Sequence, residues 1–326
     1  MIRSLRASHG SARLTAGVFV FAFWLSGCAL IVPQTEELRA ERPAGLPDRA
    51  ELTDVPFFPQ QEYQCGPAAL ATVLANLHLN LAPEDLVKEV YLPARQGSLQ
   101  VEMLAAPRRH GMLSYQLAPR FENLLREVAA GTPVIVLQDY GVWPFSLWHY
   151  AVVVGYDYEK AEAVLRSGEK QRLRMPFAVL EYTWKESNYW SMIVVPPGHV
   201  PATATEADYL AAVLALERVS NPGAARSGFA ALVGRWPENL GASIGLANSY
   251  YKLGELQQAE TVLRRAAERH PDSAIVLNNL AQTLSDLGRA DEALPLIDRA
   301  IALGGPFVAA ARETRVAILK KLDQSN

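Results

Sequence analysis

The spacing of hydrophobic positions changes twice along the chain. Apolar residues recur at helical spacing over 65–79, 83–90, 99–110 and 121–130, which predicts four helices. From residue 133 onward the pattern becomes short continuous apolar runs at 133–137, 150–156 and 163–166, which predict strands. A turn at 157–160 joins the last two runs into a hairpin. Helices followed by an antiparallel sheet are typical of an α+β domain.

Beyond about residue 200 the chain is rich in alanine and leucine and repeats itself. Pro237 and Pro271 set a period of 34 residues, with units that start at Glu206, Leu240 and Ala274. Small residues at position 20 allow paired helices to approach, and large residues at positions 11 and 24 fill the seam between them. Position 20 is occupied by Ala225, Ala259 and Ala293. Position 11 is occupied by Leu216, Tyr250 and Leu284, and position 24 by Phe229, Leu263 and Ile297. The pattern resembles tetratricopeptide repeats, which implies an all-α solenoid capped by a helix over 308–322.

The N-terminal segment has the features of a targeting signal. Arg3, Arg6 and Arg13 precede an apolar run over 18–25 that is too short to span a bilayer. The sequence Leu-Ser-Gly-Cys that ends at Cys28 resembles a bacterial lipobox, which predicts a lipoprotein signal peptide over 1–27. An ordinary signal peptide or a signal anchor with an incidental cysteine is the alternative.

A lipobox implies that Cys28 is lipidated and anchors an exported protein to a membrane. Ala29, rather than Asp, follows Cys28, which favours the periplasmic face of the outer membrane in a Gram-negative cell. Residues 28–50 are polar and contain prolines without an apolar period, and we interpret them as a tether. The folded part is then predicted as two domains, 51–198 and 203–322.

Composition excludes several classes of function. The chain has 31 basic and 34 acidic residues and no basic cluster, so nothing points to nucleic acid as a partner. No group of Cys and His residues has metal-ligand spacing, and no glycine-rich phosphate loop is present. We therefore predict no cofactor.

Cys65 is the candidate nucleophile. It directly precedes a helical run in which Pro67 fits the first turn, so the thiol lies at a helix N-terminus, where the helix dipole favours the thiolate. If Cys28 is lipidated, Cys65 is an unpaired thiol in an oxidising compartment, and such a thiol needs a reason to be kept. An inert cysteine that opens a core helix is the alternative interpretation.

His149 and a pair of glutamines complete the parts that cysteine acyl transfer needs. His149 lies between Trp148 and Tyr150 at the start of a predicted strand, 84 residues after Cys65, and can act as a base. Gln60 and Gln61 lie five and four residues before Cys65, and a side-chain amide there can donate to an oxyanion.

Residues 52 to about 195 resemble the papain-like cysteine peptidases of the bacteriocin-processing, double-glycine type. Four motifs carry the resemblance: Gln-x(4)-Cys-Gly-Pro-Ala-Ala-Leu at 60–70, Gly-Ser-Leu at 97–99, Pro-Val-Ile-Val at 133–136, and His-Tyr-Ala-Val-Val-Val-Gly-Tyr at 149–156. The resemblance implies that Cys65 is the nucleophile and His149 the general base. It also implies that a glutamine supplies the oxyanion donor, with Gln60 preferred over Gln61 because of the spacing.

The sequence departs from this family at the third catalytic position. The family places an Asp on the strand after the hairpin, whereas this chain reads Leu-Arg-Ser-Gly at 165–168. Asp157 is eight residues from His149, roughly 26 Å along a strand. A hairpin folded about 158–160 instead brings Ser167 opposite His149, so Ser167 is the candidate that orients the imidazole. We expect a slow or conditional peptidase or one that uses a Cys–His dyad, with a complete loss of activity as the alternative.

These observations lead to one leading prediction and two alternatives. The leading prediction is a lipid-anchored cysteine peptidase whose repeats recruit a peptide or protein substrate or a protein partner. The first alternative is a catalytically weak, peptidase-like binding module that scaffolds an envelope assembly. The second is another acyl transfer with the same Cys–His pair, such as transglutaminase or amidase chemistry.

Overall fold

The computed structural model describes residues 31–60, 64–142, 144–219 and 222–325. The predicted signal peptide, Cys28 and Gln61 lie outside the described residues. In the first part of the chain, a short helix and strand lead into helices and then into a sheet. The elements are α1 (Pro33–Ala40), β1 (Arg49–Glu51), α2 (Cys65–Asn76), α3 (Pro83–Val90), β2 (Tyr91–Leu92), β3 (Gly97–Ser98), α4 (Gln100–Arg109), β4 (Leu113–Gln116), α5 (Phe121–Ala129), β5 (Val134–Asp139), β6 (Trp148–Asp157), β7 (Glu162–Ser167), β8 (Lys170–Pro176), α6 (Phe177–Trp184) and β9 (Ser191–Val195).

The sheet is antiparallel, with strand order β4-β9-β5-β6-β7-β8, and β1 pairs with the far end of β6. Its central strands are apolar on both faces because both faces are covered. Val134 and Val136 belong to the same core cluster as residues of α5, whereas Ile135 packs with residues of α2. Because both faces are buried, these strands are continuous apolar runs in the sequence and do not alternate between apolar and polar residues. The predicted hairpin is present as β6 and β7.

The N-terminal segment is not a free tether in the part that the structure describes. Residues 33–40 form helix α1, and the N–H groups of Gln34 and Thr35 donate to the Glu181 carboxylate at 2.9 and 2.6 Å. Leu38 and Leu46 are 7% and 5% exposed and belong to the main core cluster. The tether prediction is therefore wrong over 33–50. The sequence of this segment does not reveal the helix, because its buried apolar residues are isolated and show no period. The free N–H groups at the start of α1 are hydrogen bonded by a carboxylate that is distant in the sequence.

The second part of the chain is a stack of antiparallel helix pairs. Helices α7, α9 and α11 begin at Glu206, Leu240 and Ala274, the unit starts that the period predicts. The alanines at position 20 are at most 1% exposed, as are Phe229, Leu263 and Ile297 at position 24. The bounds are α7 (Glu206–Glu217), α8 (Pro222–Arg235), α9 (Leu240–Lys252), α10 (Leu256–Arg269), α11 (Ala274–Asp286), α12 (Ala290–Leu303) and the terminal helix α13 (Val308–Ser325).

One hydrophobic core runs from the sheet into the first helices of the stack. Tyr209 is fully buried in this core, and its hydroxyl donates to the carbonyls of Pro197 and His199 at 2.9 and 3.2 Å. The buried carboxylate of Glu127 accepts from both the backbone N–H and the hydroxyl of Thr203, at 2.7 and 2.6 Å. These contacts hold the connection between the sheet and the helical stack against the sheet domain.

Candidate active site

Cys65 is the first residue of α2, as the helix-start argument predicts. The next residue, Gly66, allows a close approach between α2 and β3. A Cβ at Gly66 would lie 2.3 Å from Ser98 Oγ and 2.6 Å from Ser98 Cβ, so only glycine fits there. Residues 66–74 of α2 are buried, which anchors the helix in the core and leaves its half-buried first residue at the edge of a cleft.

The thiol is not poised as a thiolate in the resting protein. Burial raises the pKa of Cys65, and hydrogen bonds with the backbone of Tyr150 and Gly66 offset only part of that increase. The expectation of a thiolate from the helix dipole alone is wrong for this structure, because the desolvation cost of burial is the larger effect.

His149 is the second residue of β6 and lies between a serine and a tyrosine. Its Nε2 is 2.9 Å from Ser167 Oγ, and its ring stacks on Tyr140 with 5.2 Å between centroids. Burial lowers the pKa of His149 to about 4. The imidazole is therefore neutral near pH 7, and its two nitrogens then have different roles, one as donor and one as acceptor.

Gln60 reaches the same site from the loop before α2. Its Nε2 donates to the carbonyl of Tyr150 at 3.3 Å, and its backbone N–H donates to the carbonyl of Gly168 at 3.1 Å. One of the two N–H bonds of the amide is thus held by β6, and the other remains available to a bound group. The rival glutamine, Gln61, lies outside the described residues.

A cleft of about 870 Å³ brings these side chains together. Gln60, Cys65 and His149 all line it, along with side chains from β3, β5 and the start of α4. Among the described residues, the lining contains no Asp or Glu, and Arg95 is its one formally charged side chain. The described side chains of Cys65 and His149 are not directly hydrogen bonded, and the imidazole bonds to Ser167 instead.

The rejected candidate Asp157 lies at the other end of β6. Its carboxylate pairs with Arg49 at 3.1 Å and with Lys160 at 3.6 Å. It is therefore occupied at the β1 edge of the sheet, where it cannot orient His149.

Sequence reasoning missed two polar residues at the site, Gln138 and Tyr140. Gln138 is fully buried and lies directly opposite His149 in the β5–β6 register. The hydroxyl of Tyr140 donates to Gln138 Oε1 at 3.0 Å, and its ring stacks on that of His149. A glutamine at the end of an apolar strand was the available signal, because a buried amide needs hydrogen-bond partners.

The described residues provide neither a cluster of metal ligands nor a membrane-spanning helix. Within those ranges, no cluster of three or more His, Cys, Asp or Glu side chains could hold a metal ion. The helices described there also include none that is both long and apolar enough to cross a membrane.

The geometry is suited to acyl transfer. A half-buried thiol, a neutral imidazole and a side-chain amide line one cleft, and one nitrogen of the imidazole is hydrogen bonded to Ser167. These are the kinds of group that can serve as a nucleophile, a base and an oxyanion donor.

Family models match both parts of the chain. Residues 52–190 match the model described as Peptidase_C39 like family, and residues 210–274 and 244–306 match the model described as Tetratricopeptide repeat. No curated protein matches the chain.

Solved structures resemble the two parts separately. A protein of Bacillus anthracis assigned to the C39-like peptidases is 17% identical, with a TM-score of 0.39, and the match covers 46% of this chain and 98% of that one. A double-glycine-motif protease from an AMS/PCAT transporter, solved with its leader peptide, is 20% identical, with a TM-score of 0.34 and coverage of 44% and 93%. A thermophilic repeat protein of Thermus thermophilus is 20% identical, with a TM-score of 0.34 and coverage of 37% and 67%.

The predicted fold class is confirmed by the two family models together with the observed elements. A sheet-containing domain of the C39 peptidase fold precedes a run of helices that form tetratricopeptide repeats.

Proposed function

Because the chain joins a C39-like peptidase domain to tetratricopeptide repeats, we propose that it is a cysteine peptidase that cleaves a peptide or protein substrate. The observation that carries the proposal is the meeting of Cys65 and His149 in one cleft, with Gln60 beside them. In this proposal Cys65 is the nucleophile, His149 the general base and Gln60 the oxyanion donor.

The two resting pKa values determine how the reaction starts. Burial raises the pKa of Cys65 and lowers that of His149 to about 4, so the resting pair at neutral pH is a thiol and a neutral imidazole. The thiol must lose its proton as it attacks. His149 therefore acts as a true general base rather than as half of a preformed ion pair.

The reaction then proceeds in two stages. Sγ of Cys65 bonds to the scissile carbonyl carbon while Nδ1 of His149 takes the thiol proton. The resulting oxyanion accepts from Nε2 of Gln60 and from the backbone N–H of Cys65. The C–N bond breaks as the imidazolium returns its proton to the leaving amine. A water activated by His149 then hydrolyses the thioester and restores the thiol.

Ser167 takes the place that the family gives to a carboxylate. Its hydroxyl, 2.9 Å from Nε2, can orient the imidazole, but it cannot stabilise an imidazolium as a carboxylate would. The proposal is therefore a slow peptidase, in which substrate binding has to bring the thiol and the imidazole together.

The repeats and the N-terminus extend the proposal to recruitment and location. A stack of three helix pairs presents a surface that can hold a substrate or a partner protein. We also propose that Cys28 is lipidated and that the protein is exported, at the periplasmic face of the outer membrane. Only two residues lie between Cys28 and Ile31, where the described chain begins, so Cys28 can be at most roughly 10 Å from Ile31. The folded body would then lie close against the membrane.

A second candidate function is a catalytically weak scaffold or binding module. The neutral Cys–His pair and the absence of acidic side chains from the described cleft lining favour it. In that case the repeats would carry the function, and the cleft would bind without turnover.

Peptide hydrolysis by the purified full chain separates the two. A complex peptide mixture is incubated with wild type, Cys65→Ala and His149→Ala, and the products are identified by mass spectrometry. The peptidase proposal expects new termini with wild type alone. Identical product patterns from all three proteins would reject the peptidase proposal in favour of the scaffold. When an amine is added to the mixture, products joined to that amine would indicate acyl transfer to amines.

A further inference from the structure

The two turns at the ends of β6 have opposite chemistry. The turn that leads to β7 is charged, and Asp157 there pairs with Lys160 at 3.6 Å. The turn that comes from β5, over 140–147, has no charged residue. Three of its apolar side chains are largely exposed, and we call them the apolar tip: Val142, Phe145 and Leu147, which are 80%, 79% and 60% exposed. Neighbouring exposed apolar side chains are typical of a contact surface for a membrane or another molecule.

Hydrogen bonds within the turn hold the apolar tip in place. Oδ1 of Asp139 accepts from the N–H groups of Gly141 and Leu147 at 2.8 and 2.7 Å. The N–H of Phe145 donates to the carbonyl of Val142 at 2.8 Å. These N–H groups have protein partners and do not need water, which lowers the cost of moving the tip from water into an apolar phase.

The described chain begins at the same end of the sheet. The carbonyl of Ile31 accepts from Nζ of Lys185 at 3.2 Å. Two residues before Lys185, Thr183 Oγ1 accepts from Nε2 of Gln138 at 2.7 Å, which fixes this end of α6 to the end of β5 where the turn begins. Because Cys28 can be at most roughly 10 Å from Ile31, a lipid on Cys28 would enter a bilayer at the end of the sheet that carries the apolar tip.

Side chains suited to the interface between membrane and water lie at this end as well. Trp148, at the start of β6, is 48% exposed. Tyr182 on α6 is 45% exposed, and Nζ of Lys185 lies 4.5 Å from the centroid of its ring. Trp, Tyr and Lys are favoured at the level of the lipid headgroups, where the apolar part of the side chain is buried and its polar end stays in water.

We propose that the apolar tip inserts into a lipid bilayer and that the mouth of the cleft thereby faces the membrane surface. The proposed lipid on Cys28 brings this end of the sheet to a membrane, where the bilayer is the nearest apolar phase to the tip. A second contact also fixes an orientation that a lipid anchor alone leaves free. The charged turn at the opposite end of β6 then points towards water.

This orientation names a class of substrate. Leu147 and Trp148 also line the cleft, so insertion of the tip brings the mouth of the cleft to the bilayer. The peptide that enters the cleft is then a segment that lies on a membrane or emerges from it. This choice of substrate rests on the proposed peptidase function, whereas insertion of the tip does not.

Photolabelling from the lipid phase tests the insertion without any turnover. The purified full chain is bound to vesicles of phosphatidylethanolamine and phosphatidylglycerol that contain a phospholipid with a diazirine in the middle of one acyl chain. After illumination, mass spectrometry locates the labelled peptides. We expect label in the peptide that carries the apolar tip. Phe145→Asp should reduce that label about tenfold, because a carboxylate opposes transfer out of water, whereas Phe145→Trp should keep it.

Val316→Asp is the matched control, because this side chain on α13 is also apolar and is 66% exposed. Its label in the tip peptide should equal that of the wild type. Absence of label from the tip peptide in the wild type, or an equal loss in Phe145→Asp and Val316→Asp, would overturn the insertion. No label there together with slower cleavage of a soluble peptide by Phe145→Asp would assign the tip to the substrate instead. Label in the tip peptide without peptide hydrolysis would support the insertion and reject only the peptidase.

Discussion

The two walls of the cleft are built in different ways. The Cys65 wall comes from one short stretch of chain, in which a loop glutamine, the cysteine and a buried helix follow one another within 17 residues of sequence. The His149 wall is assembled from β5, β6, β7 and α6, and its hydrogen bonds join residues up to 45 positions apart. The thiol of Cys65 is positioned by local structure, whereas the imidazole of His149 is positioned by the tertiary fold.

The first prediction concerns the Cys65 wall. Gln60→Ala should lower the rate of peptide hydrolysis about 10²-fold with little change in KM, because a donor to the oxyanion acts mainly in the transition state. Steady-state kinetics on a cleaved peptide measures the effect. Gln61→Ala is the matched control, and the rate of that variant should stay within about threefold of wild type. If Gln61→Ala caused the larger loss, the roles of the two glutamines would be reversed.

The second prediction concerns the His149 wall. Ser167→Asp should raise the His149 pKa above its present value of about 4, because a carboxylate favours the imidazolium. We expect the acid limb of the pH–rate profile to move upward and the rate near neutral pH to rise about tenfold. Ser167→Ala, which removes the acceptor without adding charge, should lower the rate by a similar factor. A profile that is the same in all three proteins would show that residue 167 does not act on His149.

The third prediction concerns packing between α2 and β3. Gly66→Ala should lower the free energy of unfolding by about 1–3 kcal/mol, because the added methyl group would overlap Ser98. Denaturant unfolding measures the change. Gly97→Ala, on the same wall, is the control, because the nearest atom to its new methyl group lies 3.8 Å away. Equal stabilities of the two variants would mean that β3 can move away from Gly66 at little cost.

The difference between the walls also explains how much could be predicted from the sequence. Helix α2, the β6–β7 hairpin and the repeat starts follow from local spacing and appear at or close to the predicted positions. Ser167 could be paired with His149 because counting along one hairpin is enough. Gln138, Tyr140 and Thr183 could not be linked, since their contacts depend on which strands become neighbours. The pKa of Cys65 was misjudged for a related reason, because desolvation depends on what covers the thiol and not on its place in the helix.

Helix α1, at the start of the chain, also depends on a contact with a residue that is distant in the sequence. Its composition is that of a linker, but its first N–H groups meet Glu181, 146 and 147 residues later in the sequence. A long-range partner can therefore fold a segment whose own pattern predicts none.

The most direct test of the Cys65–His149 pair is the pH dependence of Cys65 acylation by a small activated ester, followed by intact-mass spectrometry. With His149 as general base, the wild-type rate should rise through a midpoint near pH 4, as the imidazole loses its proton, and then stay level through neutral pH. In His149→Ala this limb should vanish, and acylation should increase only towards the raised thiol pKa. A wild-type profile that matches His149→Ala at every pH would contradict a catalytic Cys65–His149 pair.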